Sequence, residues 1–389
     1  MLEDGEKTFP ADGRLVRWNV GFALLPFVLT LLGVYLTRSG VTGSVHAFAE
    51  SPVIGRVLLG AAIIGLVFGI WAALRADRGE PWERVSLLGR ETWLAGSAGL
   101  VTIALVFVTV GSAYPAYLQV FLDERALVRP VFFVTVLLPL AIVLAVGLAF
   151  AFDTRWASRR LGGPKIWWYV IVAVASVTTA VVTIGDHPAP AILLLGLAAA
   201  TVLVLSLDLA RVKPSGLVLA GHLAHIGMAL VLVGGAGSSL GEDFAATMGP
   251  GEVARLESYT VEVDAIRSGE GDRFIFVAAD LTVTGEGGSS FELSPEIRAY
   301  EEQALPVPEP ALHSTPWEDV VVAISRVSGD ASVVDVTVFV RPLVFFVWAG
   351  AVLIALAGLV ALYATGGDAA RRRRSATGEL QPTGTTISD

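Results

Sequence analysis

Five histidines carry most of the chemistry available to this chain, and three of them stand in informative places. His222 and His225 fall inside an apolar run, AGHLAHIGMALVLV at 220–233, and His46 lies in a short stretch between two other apolar runs. Imidazole is the commonest side-chain ligand for metals and a usual axial ligand of haem iron. An ionisable group within a bilayer is costly enough to point to function. Spaced i, i+3, His222 and His225 share one helix face. At 1.5 Å per residue they sit roughly 9 and 14 Å into their run, which places His225 near mid-membrane. Two readings stay open: one or both hold haem iron, or they hydrogen-bond a neighbouring helix. By position alone His46 is either an iron ligand or the histidine of an exposed turn. His187, which precedes Pro188 in a tight loop, and His313, among polar residues, read as solvated surface histidines.

Composition narrows the chemistry further. The 389 residues are 54% apolar and only 16% charged, with 41 glycines, against about a quarter charged in an ordinary soluble domain. The mean hydropathy is +0.68. Most of such a chain must lie in lipid. It contains no cysteine, so thiolate metal sites, disulfides and thiol nucleophiles of its own are excluded, and any thiol chemistry belongs to a partner. The acidic opening MLEDGEKTFP lacks a basic region followed by a small-residue cleavage site, so no cleavable signal is expected.

The elements that position the histidines are apolar runs near 17–36, 53–74, 93–113, 131–152, 167–184, 189–207, 216–236 and 343–364. Each has about the 18–23 residues needed to cross a hydrocarbon core of roughly 30 Å. Eight spans put both termini on one side. The termini and alternate loops hold 17 of the 27 Lys and Arg residues, among them Arg75, Arg78, Arg155, Arg159, Arg211 and the four arginines at 371–374. The opposite short loops hold only Arg38, Arg56, Arg125 and Arg129. The positive-inside rule therefore predicts cytoplasmic termini and an outward-facing His46. Trp167, Trp168 and Tyr169 beside Lys165 read as an interfacial belt, and the 371–374 arginines as a stop-transfer anchor. Pro26 and Pro139 lie within spans, where a missing backbone donor kinks a helix.

Between the seventh and eighth spans, alternating or β-branched strings at 259–264, 273–277, 281–284, 320–325 and 333–340, separated by Gly, Ser and Asp turns, predict a small antiparallel sandwich or open barrel. Residues 237–341 hold 19 acidic residues and six arginines, a net of −13, which exceeds the whole chain's −9. That surface disfavours nucleic acid; it is either a solvated outer face or a docking face for a basic partner. The expected fold class is thus a mainly α-helical polytopic membrane protein of about eight transmembrane helices with an inserted extracytoplasmic β-rich domain. Its expected parts are a seven-helix region over 1–236, the β-rich domain over 237–341, a final span over 342–365 and a disordered cytoplasmic tail over 366–389.

The string RSGVTGSVHAFA at 38–49, followed by Ser51-Pro52 and Gly55, resembles the RSG-x-LTSVHAFA-x-DP-x-RG signature of CcmF, the haem-lyase membrane protein of cytochrome c maturation. Further strings agree in order: GRE at 89–91, GSAYP at 111–115, AHIG at 224–227, GPGE at 249–252, SPEIRAY at 294–300 and RPLVFFVWAG at 341–350. The resemblance runs from about 14 to 363. It implies that His46 helps hold, outside the membrane, the haem awaiting attachment, and that His225 is one axial ligand of a separate buried b-type haem. His222 has no assignable counterpart and is the weaker candidate. No residue is expected to act as a general acid or base.

The departures are equally informative. Gly43 and Ser51 replace a threonine and an aspartate of the signature, Arg56 falls after Gly55, and LPVPEPA at 305–311 stands where the family has MPTTEA. The family's tryptophan-rich segment, together with the second outer histidine and the second buried ligand, should precede Arg38, and nothing there matches them. The chain therefore resembles the C-terminal part of a divided CcmF and is expected to need an N-terminal partner carrying that segment. The resemblance implies a bacterial inner membrane location and the partners of the pathway: the haem chaperone CcmE, apocytochrome c, thiol-handling and chaperone subunits of the CcmH and CcmI type, and quinol as electron source. From another class comes a non-catalytic assembly subunit that displays the acidic domain and binds no haem. A secondary transporter fits less well, because no inverted repeat is evident and Asp208 near a span end is among the few intramembrane charges.

Overall fold

A computed structural model describes residues 16–39, 52–76, 90–124, 126, 128–151, 165–212, 214–300, 306–329 and 332–378. His46 lies outside these. The chain forms two compact units, one comprising 1–137 and 154–161, the other 138–153 and 162–389.

In the first unit, α1 (Val16–Arg38) and α2 (Pro52–Arg75) form an antiparallel pair. Small residues set their approach. A Cβ built on Gly69 would touch Leu24, one on Gly65 would touch Val28, and one on Gly55 would press to 2.8 Å from Ser39. Close contact through glycine is the usual device where lipid supplies no hydrophobic drive between helices. α3 (Arg90–Leu122) is longer than the expected span, continuing through Gly111 and Pro115. A proline is tolerated inside a membrane helix because neighbouring groups and local adjustment satisfy the freed carbonyl. Gly111 is itself packed: a Cβ there would lie 2.8 Å from the Phe132 ring.

The second unit holds most of α4 (Pro130–Ala151), then α5 (Lys165–Ile184), α6 (Ala189–Val212), α7 (Gly216–Ser238) and α8 (Phe345–Gly378). Ala145 of α4, Leu194 of α6 and Ala236 of α7 share one buried cluster. α5 and α6 pack through Tyr169, Val172, Ala173 and Ala200, and the Tyr169 hydroxyl meets Thr201 Oγ1 at 3.2 Å. α8 runs on as a helix to Gly378, so the tail expected to be disordered from 366 is helical that far. Its Ala-Ala-Arg-Arg-Arg-Arg string consists of strong helix formers, whose propensity a charge count ignores. All eight expected spans have helices long and apolar enough to cross a bilayer.

Among the described residues, ten strands lie between α7 and α8. One sheet has the order β1 (Asp243–Met248), β10 (Val334–Pro342), β9 (Glu318–Val327), β8 (Ala311–Ser314). The other follows β2 (Val253–Arg255), β3 (Tyr259–Glu270), β4 (Phe274–Gly285), β6 (Glu296–Tyr300), β7 (Val307–Glu309), with β5 (Ser290–Leu293) also pairing β4. Every pairing is antiparallel. Alternate residues of facing strands, Val334, Val336 and Val338 of β10, Val320, Val322 and Ile324 of β9, and Val261 and Val263 of β3, interlock in one buried core. The period of two in the side chains produces this inward row, and the two-sheet core makes the domain a sandwich and not an open barrel.

Candidate functional site: the histidine face of α7

α7 carries both intramembrane histidines, and glycines set its position against α8. A Cβ on Gly227 would lie 2.8 Å from Gly350 O, and one on Gly234 would lie 2.7 Å from Val347 N. The backbones of the two helices therefore meet directly, which holds α7 in one rotation.

On that helix His225 is half-buried. Its Nδ1 lies 2.8 Å from Gly221 O. A carbonyl only accepts, so Nδ1 donates, and in the neutral ring the lone pair falls on Nε2. Metal-bound imidazoles commonly have one ring nitrogen tethered to a carbonyl in this way.

His222 is arranged differently. It is 3% exposed; Nδ1 donates to Val218 O at 2.8 Å, while Nε2 lies 3.1 Å from Asp208 Oδ2 on α6. Both ring nitrogens face oxygens. One proton must sit between Nε2 and Oδ2, either as imidazolium against carboxylate or as a protonated carboxyl donating to neutral imidazole. In both forms the pair is neutral overall, which lets an aspartate and a histidine share a membrane interior. His222 thus spends on Asp208 the nitrogen that a metal would need.

The structure brings His222 to Asp208 across two helices and gives His225 a tether on its own helix. Sequence reasoning registers Asp208 only as a charge near a span end. A signal for the pairing was nonetheless present: Asp208 lies about 6 Å inside the end of α6 and His222 about 9 Å inside the start of α7, at matching depth across a short connection. His187 is exposed at the α5–α6 turn, its N–H donating to Ile184 O. His313 stacks on Phe291 from the opposite sheet, ring centroids 3.8 Å apart, so it braces the sandwich. Among the described residues no three His, Cys, Asp or Glu side chains converge as a metal site.

Eight apolar helices with a β sandwich spliced between the last two define a multi-pass membrane protein with a β domain. Residues 240–342 match the family model of the CcmF C-terminal beta-sandwich. Beyond that domain, most of the chain is similar to proteins of cytochrome c biogenesis. It is 28% identical over 370 residues to the cytochrome c-type biogenesis protein CycK of Rhizobium meliloti, covering 89% of this chain and 54% of that protein. It is 29% identical over 374 residues to the cytochrome c-type biogenesis protein CcmF of Pseudomonas aeruginosa, covering 90% and 55%. A solved structure of the cytochrome c heme lyase CcmF shares the fold at a TM-score of 0.66 and 19% identity, over 91% of this chain and 56% of that one. The chain thus spans about half the length of the relatives it matches.

Proposed function

We propose that this chain supplies the C-terminal part of a cytochrome c maturation haem lyase and works with an N-terminal CcmF-type part that supplies the tryptophan-rich segment. Its place is the bacterial inner membrane, with both termini cytoplasmic and the sandwich outside. The observation that carries the reading is the tethered imidazole of His225, at mid-span within the AHIG string on a helix locked by glycine contacts.

In this reading His225 would hold the iron of a buried b-type haem. The residues present fit that group: Gly221 O orients the ring and assigns the proton to Nδ1, and α8 prevents α7 from turning. When bound, such a haem supplies one-electron redox chemistry, with a potential set by its ligands and burial. His46 holds the substrate haem on the outer side, delivered by CcmE. The vinyl groups of that substrate form thioethers with the two thiols of an apocytochrome Cys-x-x-Cys-His motif. Both sulfurs come from the apocytochrome, as a chain without cysteine requires. His46 fixes the substrate iron in place, so the protein contributes holding and orientation. Subunits of the CcmH and CcmI type present the apocytochrome, and quinol is the source of electrons.

The test is the absorption spectrum of the full chain purified with its N-terminal partner. A Soret band that is lost in His225→Ala supports the ligand assignment, and one unchanged by that substitution overturns it. A wild-type complex with no band at all would leave the chain as a docking subunit that displays the acidic sandwich.

A further inference from the structure

The sandwich joins the membrane helices at one end only. α7 ends at Ser238 and β1 begins at Asp243; β10 ends at Pro342 and α8 begins at Phe345. The turn between β8 and β9, residues 315–317, sits at the same end, because Ser314 pairs with Asp319 and Glu318 with Pro342. Thr315 builds that turn: its hydroxyl donates to Glu318 O and accepts from the backbone N–H groups of Trp317 and Glu318.

Two contacts fix Trp317 against the start of α8. Leu343 N donates to Trp317 O at 2.6 Å, and the Trp317 ring centroid lies 6.5 Å from that of Phe346. Leu343 holds φ +63, a left-handed conformation that a leucine adopts only under constraint. Its side chain closes over Gly237, where an added Cβ would press to 2.7 Å. The junction is therefore clamped from both helices, yet the indole it positions is 69% exposed.

The helix beside it supplies the occupant. Phe345 and Trp348 in the first turn of α8 are exposed, as is Tyr363 toward the other end. Phe345 and Tyr363 lie about 27 Å apart along the axis at 1.5 Å per residue, close to the thickness of a hydrocarbon core. Aromatic side chains at both ends of a span mark the two interfaces. Trp317 continues the upper belt, level with Phe346, but is contributed by the sandwich.

We propose that the β8–β9 turn is a lipid-contacting foot of the sandwich, with the Trp317 indole in the headgroup region of the bilayer. The foot fixes which end of the sandwich rests on the membrane. It leaves the opposite end, the β9–β10 turn around Gly329, standing in water. This inference rests on the membrane spans and does not depend on haem.

Because the chain has no cysteine, single sites can be spin-labelled without altering any other residue. The full chain carrying Trp317→Cys or Gly329→Cys, nitroxide-labelled, is placed in nanodiscs of phosphatidylcholine and phosphatidylglycerol. Collision rates with oxygen and with nickel ethylenediaminediacetate are then measured. The expected result is an oxygen-to-nickel ratio several-fold higher at 317 than at 329. As a second measurement that keeps the fold intact, wild type and Trp317→Phe are compared in bilayers of bromine-labelled lipid, and the difference emission should be quenched relative to unlabelled lipid. Equal ratios at the two sites overturn the proposal. A label at 317 shielded from both reagents, with no lipid quenching in the difference signal, also overturns it, in favour of a protein contact.

Discussion

His222 Nε2 stands 3.1 Å from Asp208 Oδ2, joining the seventh membrane helix to the sixth through one shared proton. The His222 side chain is 4% exposed and that of Asp208 26%, so the contact is enclosed on the histidine side and partly exposed on the aspartate side.

Truncating one partner should therefore hurt more than replacing both. Asp208→Ala is expected to lower stability by about 1–2 kcal/mol, because it leaves a buried imidazole nitrogen facing an apolar side chain. Asp208→Asn should recover part of the loss, and the double replacement Asp208→Leu with His222→Phe should cost less than the sum of the single changes. Unfolding in a mixed-micelle denaturant series, read as a double-mutant cycle, checks this; additive effects would show the contact to be energetically silent.

The same pair separates the two histidines by role. In the complex with its N-terminal partner, His222→Phe combined with Asp208→Leu should keep the Soret band that His225→Ala removes. Loss of the band in the double replacement, with the protein still folded by circular dichroism, would move the ligand to His222.

Helix contact through glycine gives a position-specific expectation. Gly227→Ala places a Cβ 2.8 Å from Gly350 O and should destabilise the α7–α8 pair, whereas Gly235→Ala, where nothing lies within 4 Å, should be neutral or slightly stabilising. Thermal unfolding of the two variants side by side tests this, and equal midpoints would contradict the close approach.

In the sandwich, the Tyr259 hydroxyl donates to Glu318 at 2.7 Å. Burial first, and then the Glu318 acceptor and its charge, push the phenol up from 10.0 to about 12. A raised folded-state value means that the stabilisation is fully present below pH 10 and is lost as pH rises from there toward 12. Tyrosinate absorbance titrated over that window should lose one late-ionising group in Tyr259→Phe, and the variant should show a shallower fall in stability across it.

At the acid end, Asp280 is held below the usual carboxylate range chiefly by the hydrogen bond from Arg267 Nε at 2.7 Å, helped by Ser294. Its contribution is complete above the ordinary value of 3.8 and fades as pH falls below it. Arg267→Gln should weaken the acid dependence of sandwich unfolding, as followed by near-ultraviolet circular dichroism. An unchanged acid profile would mean that the exposed pair is screened out by solvent.

How far the sequence alone reaches differs between the two kinds of structure. The eight spans were legible because lipid demands an unbroken apolar run of fixed length, and that demand is local. Long strands such as β3 and β10 were legible from their alternation. The three- and four-residue strands β2, β5, β7 and β8 were not, because so few residues carry no period and pair only once longer neighbours present an edge. α3 overran its expected end because Pro115 is held in the helix by its surroundings, which propensity does not see.

The sequence by itself determined that this is a multi-pass protein with a β-rich insert and no thiol of its own, and its strings around His46 and His225 resemble those of CcmF. Only the tertiary structure decided that His222 faces Asp208, that Gly221 O tethers His225 and that Trp317 stands beside the first turn of α8. The physical reason is rotation. Spacing says which residues share a face of a helix or strand, but where that face points is set by close contacts such as Gly227 on Gly350, made between segments far apart in the chain.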